Sequence, residues 1–265
     1  MIATADFTLS PLEPLCLRQA RQVWARHREL GIEYFGYTAA GTTRHDNEDS
    51  FIVEDCGDVG MLFGVLDEAT QKIGIRSREA LSVVVECLGA QGPDLPMASR
   101  LAMASDSLNG YLSAISPPAR AGVCAILAQV EPKGLVRWAG VGDCSAHVFR
   151  ADRWWRRSGA RRLNAAQRTV RGQLTHALGS AQTPRVEQGW LRLQPGDLLV
   201  LSSDGLLHEA LDSSEAWAWI RGHRANSGAS LCDLARKLVA EGRLAQQRAD
   251  DVSLVVIERQ TLKGA

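Results

Sequence analysis

The chain has six cysteines, Cys16, Cys56, Cys87, Cys124, Cys144 and Cys232, but no C-x-x-C pair. Scattered singly, they offer neither zinc-ligand spacing nor a disulfide framework, and free thiols fit a reducing cytosol. A cytoplasmic location is the expectation. The six histidines form no H-E-x-x-H or H-x-H pattern, so zinc is not indicated from the imidazole side either. Excess charge is missing: 30 basic residues balance 30 acidic ones. No global field draws the chain to nucleic acid or to an anionic membrane surface. Long apolar runs are absent too. The opening "MIATADFTLSPLEPLCLRQARQ" has no basic segment leading into an apolar stretch, and no later run has the length of a membrane span.

Several catalytic motifs are also missing. There is no strand, Gly-rich loop and helix of the P-loop or dinucleotide type, which weakens nucleotide-binding readings. A G-x-S-x-G elbow is lacking, so a Ser-His-Asp triad has no support. None of the cysteines sits in a phosphate-cradling loop of the kind a cysteine phosphatase needs.

What is present, over 265 residues with 45% hydrophobic content, is enough to bury a substantial core. Residues 15–30 mix apolar and basic groups at roughly helical spacing before Gly31, which predicts an N-terminal helical extension over residues 1–31, ahead of a main domain spanning 32–265. From Ile32 the texture becomes β-like in "IEYFGYTAA", "SFIVEDC" and "MLFGVLD". Residues 76–90 and 96–115 then repeat apolar groups every three or four positions, predicting two long helices, the second ended by Pro117 and Pro118. "AGVCAILAQVE", "GLVRWAGVGD" and "SAHVFR" read as an antiparallel meander punctuated by turns. A further strand pair in "LRLQPGDLLVLSSDGLL", two helices and the strand "DVSLVVIE" complete the chain. Runs of sequential strands separated by helix pairs predict an α+β fold: two packed antiparallel sheets, a β-sandwich, with helices outside.

Arg150 to Arg171 is the strongly basic stretch, with eight arginines beside Trp154 and Trp155. No nucleic-acid motif accompanies it, and a solvated or substrate-facing loop is the better reading.

The acids stand out by position. Asp67 closes "LFGVLD", Asp204 closes "LLVLSSD", and Asp250 and Asp251 open "DVSLVVI". "RHDNEDS" adds Asp46, Glu48 and Asp49 behind Arg44. Apolar strands hold their end residues rigidly, and carboxylates converging from several strands repel one another unless cations neutralise them. An all-oxygen set suits hard divalent ions such as magnesium or manganese.

The ordered motifs across residues 36–257 resemble the metal-dependent serine/threonine protein phosphatases of the PP2C (PPM) family. "GTTRHDNEDS" is similar to the opening G-x-x-R-x-x-N-E-D motif, "GVLDE" to V-x-D-G, "AGVGDCSAHVF" to the G-D-S-R strand pair, "LTHALG" to T-R-A-L-G, "LVLSSDGL" to S-D-G and "DDVSLVVI" to the closing strand. Each motif alone is weak, whereas six in order are specific.

The resemblance implies a central β-sandwich flanked by helices, with a two-metal centre at one end holding Mn2+ or Mg2+. It implies that Asp67 bridges both ions and that Asp204 and Asp250 complete one of them. Glu48 and Asp49 would bind metal directly or through water, Asp143 would approach a third ion, and Glu68 would offer its backbone carbonyl. Arg44 would grip the substrate phosphate, because a guanidinium fork matches phosphoryl oxygens. Two ions about 3.5–4 Å apart activate a water and neutralise an in-line displacement, so no covalent phosphoenzyme is needed. The implied substrate is a phosphorylated protein, opposing a serine/threonine kinase. "DEATQK" replaces the family's D-G-M-G-G-H, which puts Glu68 on a glycine position and Lys72 on a histidine position. Asp251 stands where asparagine is usual, and His208 where a second aspartate often follows S-D-G. A catalytically weak relative that binds a phosphorylated partner is the alternative reading. A di-metal nuclease fits the acids but not the motif order.

Overall fold

The computed structural model describes residues 21–41, 46–69, 75–76, 78–115, 120–150, 160–180, 183–206, 230–244 and 250–260. Their strands are β1 (Arg21–His27), β2 (Ile32–Ala39), β3 (Asp49–Asp55), β4 (Met61–Glu68), β5 (Val123–Val130) and β6 (Leu135–Val141). Next come β7 (Ser145–Phe149), β8 (Ala160–Arg162), β9 (Glu187–Arg192), β10 (Leu198–Ser202) and β11 (Val252–Arg259). The helices are α1 (Glu79–Ala90), α2 (Met97–Ile115) and α3 (Leu231–Leu244). One sheet has six strands in the order β1-β2-β11-β10-β7-β8, and the other five in the order β3-β4-β5-β6-β9. Every pairing within them is antiparallel.

The strands alternate between two cores, which is why they read as nearly continuous apolar runs rather than as amphipathic ones. On β4, Phe63 and Val65 enter the core between the sheets, where they meet Tyr34, Val148, Leu199, Leu201, Val255 and Ile257. Leu62 and Leu66 face the other way, against Leu81, Val84 and Leu88 of α1 and Leu101, Ala104 and Leu108 of α2. On the far side, Phe35, Val200, Leu254 and Val256 meet Leu231, Leu234, Ala235 and Leu238 of α3. The expected α+β sandwich with helices on both sides is therefore what forms. The first helix expected after "SSDG" lies outside the described residues.

The N-terminal helix over 15–30 is corrected. Residues 21–27 are β1, paired residue for residue with β2 from Arg21↔Thr38 to His27↔Ile32. Val23 and Ala25 pack on the core, whereas Trp24 is 50% exposed, an alternation of period two. Trp24 donates from Nε1 to Glu33 Oε1 at 2.8 Å, and Arg26 lies over its ring. Gly31, at φ 60°, makes the hairpin turn rather than a helix cap. No helical extension ends at residue 31; residues 15–20 lie outside the described ones.

Candidate metal centre

The acids gather at one end of the sandwich because of strand parity. Asp67 follows Phe63 and Val65 on the inner face of β4, and Asp49 precedes Phe51 and Val53 on the inner face of β3. Asp49, Asp67 and Cys124 are direct cross-strand partners, in a row over β3, β4 and β5. Residues opposite one another in neighbouring strands share a face. Asp143 enters from the turn between β6 and β7, and Asp204 lies just past the end of β10. Carboxylate oxygens of Asp67, Asp143 and Asp204 lie within 4.8 Å of one another. Together with Asp250 they line a cavity of about 540 Å³.

Two glycines make this convergence possible. Gly142 has φ +89°, and a Cβ there would stand 2.5 Å from Cys124 Sγ, so the turn that delivers Asp143 closes directly onto β5. At Gly205, a Cβ would stand 1.7 Å from the Asp251 carbonyl oxygen, so only glycine lets the chain after Asp204 pass the start of β11.

The electrostatics are those of crowded acids. Burial pushes Asp49 up to about 8, Asp251 and Asp204 add to the rise, and the Ser203 hydroxyl, donating to Asp49 Oδ2 at 2.5 Å, opposes it. Asp67 is raised well above the carboxylate range, first by burial and then by Asp49, Asp204 and Asp143. Asp204 is raised by burial and by Asp143, with Arg168 pulling against the shift. Arg168 is the cation at the centre of the cluster: Nε donates to Asp143 Oδ2 at 2.7 Å, and Nη2 engages both Asp143 and Asp204.

These residues fit a hard divalent cation. The donors are all carboxylate oxygens, and Asp143 Oδ1 is buried without a hydrogen-bond partner among the described residues.

Of the residues singled out from the sequence, Asp49, Asp67, Asp143, Asp204 and Asp250 come together. Glu68 also lines the cavity, but its carboxylate turns to the outer face of β4, where the fully buried residue accepts the Arg78 N–H at Oε2, 2.6 Å away, at the start of α1. Glu48 is half-buried; its N–H donates to Asp251 and its carbonyl accepts from Glu68. Arg44 and Lys72 lie outside the described residues. The arginine-rich stretch divides: Arg150 pairs with the buried Asp197 at 2.5 Å, Arg161 and Arg162 lie in β8, and Arg168 enters the acidic cluster.

Sequence reasoning named Asp251 without giving it a role, and it missed Ser203 and Arg168. Asp251 accepts the Gly41 N–H on Oδ1 and the Glu48 N–H on Oδ2, both at 2.7 Å, tying the end of the β2 segment to the start of β3. Ser203 orients Asp49, and its place beside Asp204 in "SSD" was the available signal. Nothing in the sequence distinguished Arg168 from its arginine neighbours.

The fold is shared with solved structures of low identity. The S. agalactiae serine/threonine phosphatase superposes with a TM-score of 0.68 at 14% identity, covering 91% of this chain and 100% of that one. The Mycobacterium tuberculosis serine/threonine phosphatase PstP/Ppp gives 0.62 at 17%, covering 87% and 99%. RsbX in complex with magnesium gives 0.62 at 12%, covering 90% and 99%. A comparison with curated proteins finds no match. The family model of Stage II sporulation protein E (SpoIIE) matches residues 79–260, most of the chain, from the first turn of α1 past the end of β11. The chain belongs to the Stage II sporulation protein E family.

Proposed function

We propose that this chain is a metal-dependent phosphatase of the cytoplasm that hydrolyses phosphoserine and phosphothreonine in a protein substrate, opposing a serine/threonine kinase. The observation that carries the reading is the meeting of Asp67, Asp143 and Asp204 within 4.8 Å at the end of the sandwich. A pure binding surface has no need of three mutually repelling carboxylates. The shared fold of phosphatases, and of RsbX with its magnesium, supports it.

Asp49, Asp67, Asp143, Asp204 and Asp250 would hold Mn2+ or Mg2+, two ions with room for a third. When bound, such ions acidify a water and neutralise charge on the phosphoryl group. The chain's own residues do the rest. Ser203 holds Asp49 in one orientation. Asp251 ties Gly41 to Glu48, the described residues that flank Arg44 in sequence, and the Arg44 guanidinium would bind two phosphoryl oxygens. The cavity beside the cluster has space for a phosphorylated side chain.

A second reading, a catalytically weak member that binds a phosphorylated partner, draws on Arg168, which occupies carboxylate oxygens of Asp143 and Asp204. One assay separates the two. Purified protein with excess manganese should release p-nitrophenol from p-nitrophenyl phosphate, and Asp204→Asn should abolish release while remaining folded. Near wild-type release by Asp204→Asn would remove the metal-centre reading. No release by the wild type would favour the binding role.

A further inference from the structure

We infer that His176 is the proton donor to the leaving oxygen of the substrate, an assignment that rests on the phosphatase reading above. Among the described residues lining the cavity, His176 carries the one imidazole. It stands on the strip Gly172 to Ala177, which forms one wall of the cavity, with Asp67, Glu68, Asp143, Asp204, Asp250 and Arg168 as the charged residues sharing it.

The ring is held by a chain of bonds that begins at the metal centre. Gln167 exchanges backbone and side-chain bonds with Gly142, the residue before Asp143: its N–H donates to the Gly142 carbonyl at 3.0 Å, and its Oε1 accepts the Gly142 N–H at 3.0 Å. The Gln167 carbonyl in turn accepts both the N–H of Thr175, at 2.8 Å, and the Thr175 hydroxyl, at 2.7 Å. That hydroxyl proton is thereby committed, so Thr175 Oγ1 can only accept from His176 Nδ1, 3.1 Å away. Nδ1 therefore carries a hydrogen, and the labile site is Nε2. Imidazole is the side chain suited to hold and pass a proton near neutral pH.

In the step so assigned, a water oxygen forms a bond to phosphorus as the bond from phosphorus to the seryl or threonyl oxygen breaks. The bonding pair leaves with that oxygen, and the Nε2 proton of protonated His176 moves to it. The attacking water gives up one proton to solvent, the products are inorganic phosphate and the free hydroxyl, and solvent returns one proton to the ring. An alkoxide leaves poorly without a proton, whereas p-nitrophenolate leaves well without one.

The test compares two substrates with His176→Gln in excess manganese. A phosphothreonine peptide should lose about 100-fold in kcat, the low end of what a general acid contributes. Turnover of p-nitrophenyl phosphate should stay within about threefold. Thr175→Val, which frees the ring without removing it, should show a smaller loss confined to the peptide. Equal losses on both substrates, or no loss on either, would overturn the assignment; manganese titration calorimetry and a melting curve on each variant show whether an equal loss comes from misfolding. If the wild type hydrolyses neither substrate, the phosphatase reading falls first and takes this assignment with it.

Discussion

Asp49 and Asp67 stand directly opposite each other on β3 and β4, two acids on one inner face of the sandwich. In the metal-free protein, burial and mutual repulsion lift Asp49 to about 8, Asp67 well above the carboxylate range, and Asp204 upward. The unfolded chain gives up those protons near pH 4, so between about pH 4 and 8 the native state binds more protons than the unfolded one. The stability this contributes is complete below the unfolded pKa and is lost as pH rises through the folded values. Melting temperatures in EDTA should fall from pH 5 to pH 8, and manganese should raise them more at pH 8 than at pH 6. A flat profile in EDTA would contradict the crowding of these acids.

Arg168 is the counter-charge of the acidic cluster, bound to Asp143 and Asp204 with its side chain 38% exposed. Removing it takes away a cation that competes for the same oxygens. Arg168→Ala should bind manganese roughly fivefold more tightly, on the scale of about 1 kcal/mol for a solvent-screened pair. Its metal-free melting temperature should drop. Calorimetric titration with manganese checks this, and an unchanged affinity would confine Arg168 to a surface role.

Asp251 closes a contact across 203 residues of chain to Glu48 and one across 210 to Gly41. Asp251→Ala leaves both of those N–H groups without their acceptor, at a cost of about 2–4 kcal/mol. Asp251→Asn keeps one acceptor oxygen and should cost about half as much. Urea denaturation of both variants tests the ranking; equal stability of alanine and wild type would discount the clamp.

Glu68 replaces a glycine of the resembling motif but points at α1. Glu68→Gly should leave manganese affinity within about twofold and destabilise the fold by about 1–3 kcal/mol, because the Arg78 N–H loses its acceptor. Calorimetry with a denaturation curve decides. Tighter manganese binding by the wild type than by the variant would place the Glu68 carboxylate in the metal shell.

Much of the fold was legible because its strands are buried on both faces: "VCAILAQV" and "LLVLS" are buried throughout and apolar but for Gln129 and Ser202. The two helices over the five-stranded sheet were legible from their three- and four-residue repeats, to within a few positions of Glu79 and Met97. β1 was not. Over seven residues, "RQVWARH" suits either period, and the ladder to β2, which pairs all of it, decides for the strand.

The sequence by itself determined which acids would be rigid, because Asp67, Asp204 and Asp250 adjoin apolar strands whose burial positions their ends. Only the tertiary structure decided which carboxylates share a centre. Asp67 and Glu68 are neighbours in sequence, yet strand parity sends the first to the inner face among the acids and the second to the outer face against α1. Likewise, Arg168 meets Asp204 across 36 residues, and His176 is held to the Asp143 turn through Gln167 and Thr175. Local pattern encodes the face a residue leaves by, but which loops close over the end of a sandwich depends on how two sheets pack, and that is a property of the whole chain.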